Sequence, residues 1–243
     1  MRFVAIAIFL LFFCGCAEKS KVNISDIDED DFESEFGNAE DFDPLSGYNR
    51  VMTKFNDIAY RNVIIPTANG YRKVVPKGAR ISINNFFDNL IFPMRFANNL
   101  LQGKILNAFD ETKRFIVNTT VGFLGFANVA DELYGMQKHS EDFGQTLGVW
   151  GVPPGPHIVL PILGPSNLRD LGGEVVSFLV KQNTEMDIFD NDWRSTMGAN
   201  ALNTLNSMSD FMPMYETITK DAIDLYPLLK NMYEQRRDKL IKE

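Results

Sequence analysis

Few residues of this chain combine a reactive type with a spacing that suits chemistry. The clearest is Cys16, directly preceded by Gly15. A small residue before a Cys, after an apolar run, is where lipoprotein signal peptidase cuts, and the freed Cys is then acylated. Cys14 fails the same test because Phe13 precedes it. These are the chain's 2 Cys, so a mature protein beginning at Cys16 has no thiol for a disulfide, a metal or a nucleophile. The 2 His, His139 and His157, stand in loop-like sequence without HExxH, CxxC or EF-hand spacing, which argues against a zinc or calcium site. Ser166 lies in Gly164-Pro165-Ser166-Asn167-Leu168, which is not a G-x-S-x-G elbow, and reads as a helix cap. Arg169 and Asp170 read as exposed first-turn charges. Gly172-Gly173 lacks the strand–loop–helix setting of a phosphate loop. The expectation is therefore no catalytic residue, no metal and no cofactor.

The elements around these residues divide the chain in three. Residues 1–15 read as a lipoprotein signal peptide, with Arg2 as its basic end and Phe3 to Phe13 as an apolar run too short to span a bilayer, which needs about 20 residues. Residues 16–43 read as the lipidated Cys and an acidic tether. Ala17 behind the Cys favours sorting to the outer membrane. The formal charge of the whole chain is -8, but it is concentrated: Ala17 to Asp43 holds eleven Asp/Glu and two Lys, whereas the rest of the mature chain balances at zero. Repulsion and the shortage of apolar residues make this segment a solvated spacer. An alternative is a docking segment anchored through Phe32, Phe36 and Phe42. Neither part has the basic excess of a nucleic-acid binder.

Residues 44–243 read as one all-α domain, long enough for a core. Asp43-Pro44 opens a helix whose Leu45, Tyr48, Met52, Phe55, Ala59 and Val63 share one face, with Pro66 as its stop. Gly70 to Val75 reads as a short link or a helical turn and Pro76 as a new start, running through Ile83, Phe86, Phe87 and Leu90. Helices follow from Pro93 to Leu101 and, after Gly103, from Lys104, with Ile105, Phe109, Thr112 and Ile116 on one face. Val121 to Ala130 is almost wholly apolar. Glu141 to Val149 is a short helix whose Gly144 and Gly148 permit close approach to a neighbour. Gly151 to Pro156 cannot be helical, and Pro161 keeps the apolar run His157 to Leu163 from being a central strand. Further helices are expected from Ser166, from Asp190, and around Pro227 to the basic end at Lys239 and Lys242. No mature segment reaches membrane-spanning length, yet wide apolar faces of this kind can lie in a membrane interface.

A series of motifs supports a resemblance. Asp43-Pro44-Leu45-Ser46-Gly47-Tyr48-Asn49-Arg50 is similar to the DPLEGFNR opening of the MlaA/VacJ family. Asn84 to Leu90, Asn99 to Gly103 and Arg114 to Gly122 also resemble that family. The most specific stretch is Asp142-Phe143-Gly144-Gln145-Thr146-Leu147-Gly148-Val149-Trp150-Gly151, followed by Pro154-Gly155-Pro156 and Leu160 to Asp170. Order and spacing hold from Asp43 to Asp170; the C-terminal third matches more weakly, and the acidic tether is longer than the usual spacer. The resemblance implies a single ring-like domain of amphipathic helices with an irregular Gly/Pro-rich loop. It implies a position in the inner leaflet of the outer membrane, lipid-anchored and facing the periplasm. The implied work is to remove mislocalised phospholipids from the outer leaflet and pass them through an amphipathic channel to a soluble periplasmic carrier. A trimeric porin is the implied partner. On this resemblance the loop residues Gly151, Pro154, Gly155, Pro156, Pro161 and Gly164 are assigned to the channel wall or its gate, with a buried connector as the alternative. A structural porin-associated lipoprotein without transport is the alternative to the function.

Overall fold

The computed structural model describes residues 43–188 and 193–243, with side-chain surroundings defined outside 180–196. The expected anchor Cys16, residues 17–42 of the tether and the helix start expected at Asp190 lie outside the described residues. The described chain is mostly helical: α1 (Ser46–Ala59), a π-helical turn (Tyr60–Ile64), α2 (Ile65–Val74), α3 (Lys77–Leu90), α4 (Phe92–Leu101), α5 (Ile105–Thr120), α6 (Val129–Glu132), α7 (Phe143–Val149), α8 (Leu168–Ile188), α9 (Trp193–Thr219) and α10 (Leu225–Lys242). The all-α expectation is met. One antiparallel hairpin joins α7 to α8, pairing β1 (His157–Leu160) with β2 (Gly164–Asn167).

Pro66 does not stop the first helix. It falls in the opening turn of α2, where a missing N–H costs least, and the π turn carries the helix into it unbroken. The extra residue keeps one buried stripe in line: Asn49, Thr53, Asn56 and Tyr60 on the first side, then Ile65 and Ala68 on the second. The step from Tyr60 to Ile65 is five residues, which an uninterrupted α-helix would place off that face.

That stripe holds the hairpin. Asn49 donates through Nδ2 to the His157 carbonyl (3.0 Å) and accepts at Oδ1 from the Val159 amide (2.9 Å). Asn56 donates to the Leu160 carbonyl (2.9 Å) and accepts from the Ile162 amide (2.7 Å). The two side-chain amides thus stand in for a third strand along the open edge of β1, where unpaired backbone groups would otherwise be costly. Tyr60 adds a hydroxyl donated to the Ile162 carbonyl.

Ser166 is not the cap of α8. It lies in β2, and Asn167 takes that role: its Oδ1 accepts from the Asp170 amide at 2.8 Å while its Nδ2 donates to Asp170 Oδ2 at 2.8 Å. Asn167→Ala should therefore lose about 0.5–2 kcal/mol, the range for a lost N-cap, and Ser166→Ala should leave the helix start intact. Thermal unfolding of the two variants side by side checks this; a larger loss for Ser166→Ala would reverse the assignment.

Candidate functional site

The polar and apolar halves of the helices face the opposite way from an ordinary globular domain. Among the described residues the largest fully buried side chains are Glu111, Asn49, Asn99, Asn206, Thr146, Ser166 and Ser209, all polar. The apolar core is small and gathers around Tyr60, Ile65, Ala68, Met212 and Tyr215. The faces picked out by apolar periodicity point largely outward instead: on α1 Tyr48 is 42% and Phe55 48% exposed, and on α5 Phe109 is 59% exposed. Phe178 on α8 and Phe123 in the loop after α5 are more exposed still. Phe123 and Leu124 hold positive φ angles, a strained setting for large side chains, and both remain uncovered. No helix among the described residues is long and apolar enough to cross a membrane.

Two buried charge networks hold the interior together. In the first, Glu111 on α5 is fully buried and accepts from Arg95 Nε of α4 at 2.6 Å and from the His139 amide at 2.7 Å. Arg95 also donates to the Asp88 carbonyl (2.7 Å), tying α3 to the group. Beside it, Lys104 pairs with Glu141 at 2.7 Å, and Thr146 of α7 donates to Asn98 of α4 at 2.9 Å. These buried groups offset the cost of leaving water because each finds a partner in the network.

The second network overturns the reading of Arg169 and Asp170 as exposed charges; both are buried. Asp170 Oδ1 accepts from Arg169 Nε (3.0 Å) and Arg237 Nη2 (2.8 Å), and Oδ2 accepts from the Tyr233 hydroxyl (2.6 Å). Arg237 of α10 also reaches both oxygens of Asp142, the N-cap of α7, at 2.6 and 3.0 Å. Burial opposes the charge on Asp170, but the hydrogen bonds from Arg169, Arg237 and Tyr233 outweigh it and hold its carboxyl below the usual range. Burial and the neighbouring Asp170 push the Tyr233 phenol up. The glycines let these helices meet. A Cβ on Gly144 would stand 2.5 Å from Asp170 Oδ1, and one on Gly148 2.6 Å from Ile241. The sequence signal for this cluster lay in Gly144, Gly148, Arg169 and Asp170 together, but α10, which supplies Arg237, lies far along the chain.

The six loop residues are brought to one place only in part. Gly151, with φ +86°, ends α7 by donating to the Gly148 carbonyl. The carbonyls of Pro154 and Pro156 accept from the amides of Arg169 and Leu168, at 3.1 and 3.2 Å, and so finish the start of α8. Gly155 (φ +67°) packs against Leu168. Pro161 follows β1, and Gly164 (φ +88°) opens β2 near the Tyr60 hydroxyl.

Between α1, the hairpin, α9 and α10 lies a cavity of about 90 Å³. His157 lines it and is buried. Its Nδ1 is 3.3 Å from Glu234 Oε1, outside hydrogen-bonding geometry, and among the described residues its Nε2 has no hydrogen-bond partner. Burial, followed by the nearby Lys230, lowers its pKa to about 4, so the imidazole is neutral at neutral pH. Among the described residues no group of three or more His, Cys, Asp or Glu is placed to hold a metal ion.

Comparison with known proteins follows the same lines. The family described as MlaA lipoprotein matches residues 41–240. The chain is 31% identical over 199 residues to the intermembrane phospholipid transport system lipoprotein MlaA of Escherichia coli, covering 81% of this chain and 77% of that one. An uncharacterized protein of Rickettsia typhi is 28% identical over 228 residues, covering 92% of this chain and 89% of its own. A solved structure described as the structural basis for maintenance of bacterial outer membrane lipid asymmetry superposes with a TM-score of 0.70 at 28% identity. It covers 82% of this chain and 98% of that one.

Proposed function

This chain belongs to the MlaA lipoprotein family, and on that premise we propose that it removes mislocalised phospholipids from the outer leaflet of the outer membrane. It passes them through an amphipathic channel to a soluble periplasmic carrier and so maintains lipid asymmetry. Acyl chains on Cys16 hold it to the inner leaflet on the periplasmic side, each buried CH₂ adding about 0.8 kcal/mol to anchoring, and a trimeric porin is its membrane partner.

One observation carries this reading: polar side chains fill the interior while apolar helix faces remain uncovered. A phospholipid has a charged head and two apolar tails. Polar interior faces satisfy a head that would otherwise be stranded in hydrocarbon, and apolar exterior faces share the solvent that the tails prefer. No covalent step is needed, and a lipid moves by exchanging one set of weak contacts for another. The test is a chromosomal deletion with outer-leaflet phospholipid as the readout. It should rise on deletion and return on complementation. An unchanged outer leaflet would leave only the structural, porin-associated role.

The Gly/Pro loop is the proposed gate within that route. Gly164→Val tests it without changing charge. Space is available at this position, with only the Tyr60 hydroxyl at 3.7 Å, but φ of +88° strains any β-branched residue. The variant should stay folded and anchored while outer-leaflet phospholipid shifts from the wild-type level. A folded variant with wild-type asymmetry would assign the loop to a connector.

A further inference from the structure

The cavity beside His157 has a composition that the helix networks do not explain. Its polar wall groups mostly have partners inside the protein: Asn56 is bound to the hairpin, the Tyr60 hydroxyl to Ile162, the Tyr215 hydroxyl to Asp57 and the Tyr226 hydroxyl to Asp43. The ring of His157 is the exception: among the described residues neither nitrogen has a hydrogen bond, and whereas Nδ1 lies 3.3 Å from Glu234 Oε1, Nε2 faces no charged group at that distance. A buried polar atom left unpaired costs on the order of 1–3 kcal/mol, so a partner from outside the chain is called for. The carboxylate of Glu234 next to Nδ1 favours the tautomer with its proton on that side. Nε2 is then an acceptor, and the missing group must be a donor.

Size and charge narrow the donor. A volume of about 90 Å³, several times the roughly 10–15 Å³ that admits one water, suits a three-carbon polyol. Tyr60 and Tyr215 meet edge to face at 5.0 Å and give flat walls for C–H groups. Lys230 also lines the cavity, which disfavours an ammonium donor and suits a phosphate at the entrance. Leu163 at the rim is exposed and apolar, as a lipid-facing mouth requires.

We propose that this cavity holds a phosphoglycerol group, a glycerol hydroxyl donating to His157 Nε2 and the phosphate lying beside Lys230. The proposal deepens the lipid-handling reading and rests on it: phosphatidylglycerol is the lipid that offers this group, and free glycerol phosphate is its soluble counterpart. The chain's two His make the test direct. Full-length, anchored protein labelled with ¹⁵N-histidine is placed in nanodiscs of phosphatidylglycerol or of phosphatidylethanolamine, with His139 as internal reference. The Nε2 resonance of His157 should move to a hydrogen-bonded position in the first and not in the second. Glycerol 3-phosphate added to the phosphatidylethanolamine discs separates the sources. A matching shift supports the phosphoglycerol site but makes its ligand soluble, and no shift assigns it to the lipid. Lys230→Met should reduce the ratio of phosphatidylglycerol to phosphatidylethanolamine retained in native mass spectrometry about fivefold, and His157→Phe should do the same. An identical His157 resonance in all three samples means that water alone fills the cavity and overturns the proposal. Such a result leaves the transport reading standing if deletion still raises outer-leaflet phospholipid.

Discussion

Glu111→Ala should destabilise the protein by about 3–5 kcal/mol, the range for removing one partner of a buried ion pair. Glu111 is fully buried between two guanidinium groups, 2.6 Å from Arg95 Nε and 3.8 Å from Arg114 Nε. Truncation leaves both cations in the interior and takes the acceptor from the His139 amide. Glu111→Gln keeps an acceptor for that amide and should recover part of the loss, but not the charge. Lys113→Ala serves as control, because its pair with Asp110 on the same helix is exposed and such pairs contribute little. Unfolding of detergent-solubilised protein, followed by tryptophan fluorescence, measures all three. A loss under 1 kcal/mol for Glu111→Ala would mean that the network is not what joins α4 to α5.

Gly173→Ala is the second large effect. The added Cβ would lie 2.5 Å from the backbone nitrogen of Gly144 and 2.8 Å from its Cα. Backbone cannot rotate aside, so α7 and α8 must separate, at about 1–3 kcal/mol for overpacking. The separation also pulls Asp170 from Arg237, because Asp170 and Gly144 share the same contact. The adjacent residue gives the opposite sign. A Cβ on Gly172 meets nothing within 4 Å, and Gly→Ala inside a helix gains about 0.5–1 kcal/mol. The paired variants should therefore move the melting temperature in opposite directions. A fall for both, or a rise for both, would show that close approach at Gly173 is not what α7 and α8 depend on.

These sites show how far the sequence could be read. Helix positions were legible where Pro and Gly punctuate apolar periodicity, as at Pro76, Pro93 and Gly103. The direction of the faces was not, because period alone cannot say whether Phe55 and Phe109 are buried against protein or left uncovered. Asn49 and Asn56, seven residues apart, carry no hydrophobic signal, yet they bind the hairpin. Pro66 was misread as a stop because a π turn leaves no composition mark. Arg169 and Asp170 looked like solvated charges because their partner Arg237 enters from a helix nearly seventy residues later, and only tertiary structure brings it back. The resemblance to MlaA proteins identified the family from motifs that turn out to be these contacts: the Asp142–Gly148 stretch and Asn167 to Asp170 form the interlock of α7, α8 and α10.

The inverted interior has a thermodynamic consequence. Unfolding an ordinary domain exposes mostly apolar surface, and the heat capacity rises by about 12–15 cal/mol/K per residue. Exposed apolar area raises that quantity and exposed polar area lowers it. Here the side chains released from the interior are Glu111, Asn49, Asn99, Asn206 and Thr146, while much of the aliphatic and aromatic surface is already uncovered in the native state. The increment should fall below the ordinary range, and calorimetry in detergent reads it directly. A small increment flattens the curve of stability against temperature. The fold then keeps nearly constant stability on cooling, whereas a conventional oil-drop core weakens as its hydration entropy fades.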